Sequence, residues 1–131
     1  MLTRAELLKI AEARLKDAEV LFNSKRYDGA IYLCGYAVEI ALKARICSTL
    51  RWNGYPMTSN EFKNFQSFKT HSLDVLLSLS GVEGKIKTRF LDAWSGVAAW
   101  DPEARYKPVG SAGKQETELM VESAKTLLRA L

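Results

Sequence analysis

The chain has 131 residues, a hydrophobic fraction of 47%, a charged fraction of 26% and a net charge of +4. This composition is typical of one soluble globular domain, expected to span residues 1–131, and it excludes disordered, fibrous and low-complexity chains. No run approaches the ~18–20 apolar residues of a membrane span, no secretory leader opens the chain, and two cysteines are too few for a disulfide framework. We therefore expect a cytoplasmic protein that does not contact a membrane.

The positive charge is concentrated in the middle of the chain. Residues 1–42 are neutral and residues 115–131 carry −1, whereas residues 43–114 carry +5. Such an excess favours a basic face that attracts phosphate groups or an acidic partner protein. The alternative is an ordinary solvated surface whose charge only keeps the protein soluble.

Two long amphipathic helices are predicted in the first fifty residues. Thr3 and Glu6 have the spacing of a capping box, which predicts the start of the first helix. Asp28 has the properties of an N-cap, so the second helix is predicted to run from there to about Leu50. Apolar residues recur at steps of three and four along both segments, which is the pattern of a helix with one buried face.

The remainder of the chain predicts further helices separated by two connectors. Residues 51–70 form a predicted loop with one short helical turn within residues 59–68, and residues 103–113 form a second connector. Periodicity predicts a short helix that starts near His71 and ends at Gly81, a long helix over about 83–99 and a last long helix from about residue 114 onward. The predicted fold class is therefore all-α, an up-and-down antiparallel bundle of four long helices and one short helix.

Enzyme signatures are absent from the sequence, so candidate sites rest on individual side chains. The chain has no glycine-rich phosphate loop, and its one histidine and two cysteines lack the spacing of a metal site, so no cofactor is expected. Tyr32, Tyr36, Glu39 and Lys43 follow one another at steps of four, three and four, which places them on one stripe of the second helix. This stripe is interpreted either as a half-exposed helix side with a salt bridge or as a dimer face or ligand wall.

Three cationic residues are further candidates for contacts with a ligand. Arg45 projects close to the centre of the apolar face of the second helix, where it needs a carboxylate, such as Asp101 or Glu103, or a bound anion. His71, the only histidine, is either a capping residue or a proton-transferring or phosphate-binding group.

Arg105 and its neighbour Tyr106 lie in the second connector. Together they are able to grip a phosphate and stack on a base, or simply to attach the connector to the bundle.

Several segments resemble the HEPN domain family, whose name stands for higher eukaryotes and prokaryotes nucleotide-binding. The resemblance is carried by residues 13–19, 26–30, 35–39 and 42–44, and more weakly by residues 70–73 and 105–108. It implies a small helical bundle that is usually dimeric and that, in prokaryotes, often pairs with a minimal nucleotidyltransferase in toxin–antitoxin modules. Catalytic members of the family are metal-independent endoribonucleases with an Arg-x4-6-His motif.

This chain departs from that catalytic motif, because no arginine occupies positions 64–66 ahead of His71. The preferred hypothesis is therefore a non-catalytic, dimeric binding module for a nucleotide or a nucleic-acid phosphate, working with a nucleotidyltransferase partner. Its predicted ligand-binding residues are Arg45, His71, Arg105 and Tyr106, with Glu39 and Lys43 shaping the site. The alternatives are a ribonuclease toxin in which His71 meets Arg45 or Arg105 across the bundle, and a structural protein-interaction bundle.

Overall fold

The computed structural model describes residues 1–131 and confirms the all-α class. Its long helices are α1 (Arg4–Asn23), α2 (Tyr27–Leu50) and α6 (Lys114–Ala130), and its short helices are α3 (Leu73–Leu79), α4 (Glu83–Arg89) and α5 (Leu91–Val97). Two further 3-10 turns cover Gln66–Phe68 and Pro102–Tyr106. No helix is both long enough and apolar enough to cross a membrane.

Helix α2 is the central element of the bundle, because α1, α3 and α6 all pack against it. It is buried on several sides, and many of its buried residues are small: Ala30, Cys34, Gly35, Ala37, Ala41, Ala44 and Cys47. Small side chains let neighbouring helices approach closely, which is why one helix can support three others. Both cysteines are free thiols within this core.

The start of α1 agrees with the prediction from the sequence. The Thr3 hydroxyl accepts a hydrogen bond from the Glu6 backbone N–H at 3.2 Å, and the Glu6 carboxylate accepts one from the Thr3 N–H at 2.7 Å. This capping box also anchors a two-residue strand, β1 (Leu2–Thr3), which pairs antiparallel with β2 (Gly54–Tyr55). Strands of two residues are too short for alternation to show in the sequence.

The helix predicted over residues 83–99 is divided in two. At Phe90 the backbone leaves the helical region, with φ −130° and ψ 33°, although hydrogen bonds still join Phe90 N–H to Ile86 and Trp94 N–H to the Phe90 carbonyl. Neither a proline nor a glycine lies at the break, so no local signal marked it. The molecule consequently has three long and three short helices instead of four long and one short.

The start of α2 also differs from the expectation, because Asp28 is not its N-cap. The helix begins at Tyr27, and the capping position is Arg26, which makes no side-chain cap. The Asp28 carboxylate instead accepts hydrogen bonds from the backbone of Gly110 and Ala112. A partner more than eighty residues away along the chain cannot be foreseen from local capping rules.

Two connectors join the helices and carry candidate site residues. The first connector, residues 51–72, is packed around aromatic rings: the Tyr55 hydroxyl donates to the Phe68 carbonyl at 2.6 Å, and the Trp52 and Phe68 rings lie 4.9 Å apart. The helical turn predicted within residues 59–68 is present only as hydrogen-bonded turns and the 3-10 turn at its end. The second connector starts earlier than the sequence predicts, at residue 98, and runs to residue 113. Its Trp100 is buried, and the residues after Trp100 are largely exposed.

Candidate functional site

A buried carboxylate lies at the centre of the stripe on α2. Glu39 is only 1% exposed, so the interpretation of this part of the stripe as half-exposed is wrong. Its carboxylate accepts a hydrogen bond from Lys43 Nζ at 3.0 Å, and both of its oxygens lie 3.1 Å from His71 Nδ1. Two potentially cationic groups therefore satisfy a charge that would otherwise be costly to bury.

His71 is held by one ring nitrogen and presents the rest of its ring to solvent. It directly precedes Ser72, whose hydroxyl accepts a hydrogen bond from the Val75 N–H and caps α3. The His71 side chain is 65% exposed, although Nδ1 faces Glu39. Because the carboxylate orients the ring through Nδ1, the other nitrogen is left for a ligand or a proton transfer.

Lys43 connects this carboxylate to the first connector. Its side chain is 14% exposed, and its Nζ lies 5.4 Å from the centre of the Tyr55 ring, within the range of a cation–π contact. Burial, followed by the nearby Cys47 and Glu39, raises the pKa of the Tyr55 hydroxyl, which keeps Tyr55 neutral as a donor to Phe68. The Glu39–Lys43 pair on α2 therefore also contacts Tyr55 of the first connector.

The two tyrosines of the stripe continue the same face toward the N-terminal end of α2. The rings of Tyr32 and Tyr36 are 6.1 Å apart, and Tyr32 lies 6.2 Å from Trp100. Burial raises the pKa of Tyr36, Glu39 and Tyr32 raise it further, and the charge of Arg14 acts in the opposite direction. Tyr36 therefore interacts with the Glu39 carboxylate on one side and with Tyr32, at the aromatic end of the stripe, on the other.

Arg105 and Tyr106 lie beside that aromatic end. The Arg105 guanidinium carbon is 4.8 Å from the centre of the Tyr106 ring. Interaction with the Tyr106 hydroxyl, and secondly with that of Tyr32, raises the pKa of Arg105. Arginine is a permanent cation in proteins. Tyr106 is 70% exposed and offers an open ring face.

Together these side chains form one elongated surface, which we call the α2 face. Its members are Tyr32, Tyr36, Glu39 and Lys43 on α2, with His71 from the first connector and Arg105 and Tyr106 from the second. Tyr32 and Lys43 are eleven residues apart, so the part of the face on α2 extends about 16 Å along the helix axis, and Glu39 lies about 10 Å from Tyr32. Five of the six residues predicted as ligand-binding therefore lie on this face.

Arg45 is the exception, and the expectation that all these cations share one groove is wrong for it. Six helical steps of about 100° place Arg45 about 120° around α2 from Glu39. It lines a separate cleft between α1, α2 and α6, together with Arg4 and Leu128, and its Nε has no hydrogen-bond partner. The predicted ion pair with Asp101 or Glu103 is not formed, because Asp101 caps its own 3-10 turn.

Sequence reasoning missed Trp100, which supports the aromatic end of the face. A Cβ atom at Gly35 would lie 2.1 Å from the Trp100 indole, so this glycine is where the ring docks against α2. The available signal was a glycine in the interior of a long helix, a position where glycine costs about 1 kcal/mol relative to alanine. Such a glycine indicates close packing but not which side chain fills the space.

The fold and this face define a small all-α bundle with a Glu–His–Lys cluster on its central helix. A family model described as HEPN domain matches residues 5–60, which cover α1, α2 and β2. This match confirms the resemblance to the HEPN family over the residues that it covers. Neither the curated proteins nor the solved structures include a match.

The matched segment contains only part of the α2 face. Tyr32, Tyr36, Glu39 and Lys43 lie inside it, whereas the residues from the two connectors lie outside. The family match therefore covers the helical side of the face, and the tertiary structure alone brings the connector residues to it.

Proposed function

We propose that this protein is a non-catalytic binding module for the phosphate groups of a nucleotide or nucleic acid, bound on the α2 face. The observation that carries the proposal is the contact of His71 with the buried Glu39, which orients a largely exposed imidazole beside Lys43. When both of its nitrogens carry a proton, the imidazole donates from Nδ1 to Glu39 and from the other nitrogen to an anionic oxygen beside the Lys43 ammonium group, and its position is set before the ligand arrives.

The aromatic end of the face supports a ligand that also carries bases. Arg105 is exposed and cationic, and Tyr106 beside it presents an open ring. Phosphate contacts from cations combined with aromatic rings for stacking are the means by which proteins bind single nucleotides and unpaired strands. The net charge of +5 over residues 43–114 agrees with a polyanionic ligand.

The separation of the arginines from His71 favours binding over catalysis. Arg105 interacts with Tyr32, which lies about 10 Å along α2 from the Glu39 that holds His71, and Arg45 faces another cleft. An arginine that stabilises phosphate charge during cleavage must reach the same phosphate as the histidine.

Metal-independent RNA cleavage is the second candidate function, and one observation favours it. A carboxylate that holds Nδ1 of a histidine leaves the other nitrogen positioned as a general base, as in catalytic dyads. Under this alternative the protein is a ribonuclease toxin whose site differs from the family motif.

Binding of ATP and of a single-stranded oligoadenylate about ten nucleotides long, measured by calorimetry, tests the preferred function. We expect Arg105→Ala and His71→Ala each to weaken binding of the oligonucleotide severalfold. Arg89→Ala is the matched control, because Arg89 is an exposed arginine that lines a different groove between α4, α5 and α6. Equal affinities for all four proteins would refute the proposed site.

Cleavage of the same RNA distinguishes the two candidates. We expect the wild type and His71→Ala to leave the strand intact, since the proposed module only binds it. Cleavage that the wild type performs and that His71→Ala and Glu39→Gln both lose would establish the ribonuclease instead.

The proposal includes a homodimer and a minimal nucleotidyltransferase partner, which the family resemblance favours. Light scattering of the purified chain tests the first, and copurification with a nucleotidyltransferase from a neighbouring gene tests the second. A monomer at all concentrations would refute the homodimer. Failure of this chain to copurify with the nucleotidyltransferase would refute that partner.

A further inference from the structure

The part of the second connector that carries Arg105 and Tyr106 has little support of its own. From Glu103 to Gly113 its residues are mostly exposed, and its internal hydrogen bonds are local, such as Lys107 N–H to the Ala104 carbonyl and Ser111 N–H to the Pro108 carbonyl. Bonds of this kind shape a turn but do not attach it to the bundle. What attaches it determines where Arg105 points.

Ala104 packs against the core at the start of this segment, and the attachment at its far end is the Asp28 carboxylate. Its Oδ2 accepts a hydrogen bond from the Gly110 N–H at 2.7 Å, and its Oδ1 accepts one from the Ala112 N–H at 2.9 Å. Gly110 has φ +89°, a backbone conformation that favours glycine, in the turn that presents these two amides to one carboxylate. Both oxygens of the aspartate are therefore used by the connector, in short, charge-assisted bonds.

Asp28 lies in the first turn of α2 and is well placed to serve the α2 face. It makes no cap for α2, and it lies one helical turn before Tyr32, the residue next to Arg105. The connector is thus fixed on either side of the Arg105–Tyr106 pair, by Trp100 on Gly35 and by Asp28 on Gly110 and Ala112.

We propose that Asp28 is a positioning residue for the ligand: it holds the second connector against α2 so that Arg105 and Tyr106 remain on the α2 face. This inference rests on the proposed function for its ligand, a single-stranded nucleic acid. The two N–H groups of Gly110 and Ala112 lower the pKa of Asp28, which is consistent with a carboxylate that stays charged in this role.

The test compares Asp28→Asn, Arg105→Ala and the double variant in the full chain, with the oligoadenylate as probe. Asp92→Asn is the matched control, since Asp92 is an exposed aspartate in the first turn of α5 without a side-chain hydrogen bond. Loss of a negative charge by itself strengthens binding of a polyanion. We nevertheless expect Asp28→Asn to weaken binding by about the same factor as Arg105→Ala, and the double variant to be no weaker than either.

Amide hydrogen exchange gives a readout that needs no ligand. We expect exchange at Gly110 and Ala112 to accelerate about tenfold or more in Asp28→Asn, since each amide loses a charge-assisted bond, while amides in the middle of α2 are unchanged. Unchanged exchange, or weakening by Arg105→Ala without weakening by Asp28→Asn, would overturn the positioning role. Equal RNA binding by the wild type and Arg105→Ala would instead refute the proposed function, even if the amide exchange changed.

Discussion

The two connectors are attached to the same helix by opposite means. The first is held from inside the protein, where Tyr55 is fully buried, aromatic rings pack on one another, and the buried Glu39 binds Lys43 and His71. The second is held beyond Trp100 by hydrogen bonds at an exposed aspartate. One end of the α2 face is therefore part of the core, and the other end is a separable loop.

This difference has a direct consequence for mutations. Changes at the Glu39 end are expected to lower the free energy of unfolding of the whole protein, because buried groups lose their partners. Changes at the Asp28 end are expected to affect only the local order of the second connector, because exposed segments open independently of the core.

The largest effect is expected from Glu39→Ala. It leaves Lys43 beside Tyr55 without its carboxylate and creates a small cavity, so we expect the free energy of unfolding to fall by about 3 kcal/mol. Urea denaturation followed by circular dichroism measures this change. Glu83→Ala is the matched control, because Glu83 also pairs with a lysine four residues later, Lys87, but at the surface. We expect that control to cost less than about 0.5 kcal/mol, and similar losses for both variants would contradict the role of Glu39 as an anchor.

An intermediate effect is expected from Tyr55→Phe, which removes the donor to the Phe68 carbonyl and keeps the ring. Loss of this bond is expected to cost about 1.5 kcal/mol, because the carbonyl loses a partner inside a half-buried cluster. Tyr106→Phe removes a hydroxyl from a tyrosine that is 70% exposed and is expected to leave stability unchanged. If both variants melt at the wild-type temperature, the first connector is not held by this hydrogen bond.

The smallest effect on the whole protein is expected from protonation of the Asp28 carboxylate at acidic pH. Hydrogen bonds from Gly110 and then Ala112 lower the pKa of this carboxylate in the folded protein. The contribution of the charged Asp28 to the stability of the second connector is therefore complete above the pKa of an ordinary aspartate, about 3.9. This contribution is lost as the pH falls through the lower pKa that Asp28 has in the folded protein. We expect the amides of Gly110 and Ala112 to lose their protection from hydrogen exchange in that acidic range, at a higher pH than the amides of α2 lose theirs.

Asp28→Asn provides the comparison for this acid effect. An uncharged side chain at position 28 should make the protection of Gly110 and Ala112 weaker and independent of pH over the same acidic range. Simultaneous loss of protection in the second connector and in α2 of the wild type would show that the two regions are not separable.

The sequence by itself determined the parts of this protein that depend on neighbours along the chain. The capping box of Thr3 and Glu6, the helical class and the stripe of Tyr32, Tyr36, Glu39 and Lys43 all follow from spacings within a few residues. The HEPN resemblance likewise came from short segments and was confirmed over residues 5–60. Local periodicity is physically sufficient here, because helical hydrogen bonds join residues only four apart.

Only the tertiary structure decided which of these residues meet. Glu39 is buried and His71 reaches it from 32 residues away, while the Asp28 carboxylate accepts a hydrogen bond from Gly110 and makes no cap for its own helix. The helix break at Phe90 and the position of Arg45 in another cleft likewise follow from how the elements pack. A partner brought from elsewhere in the chain changes the burial and charge of a side chain, and a pattern of local spacing contains no information about that partner.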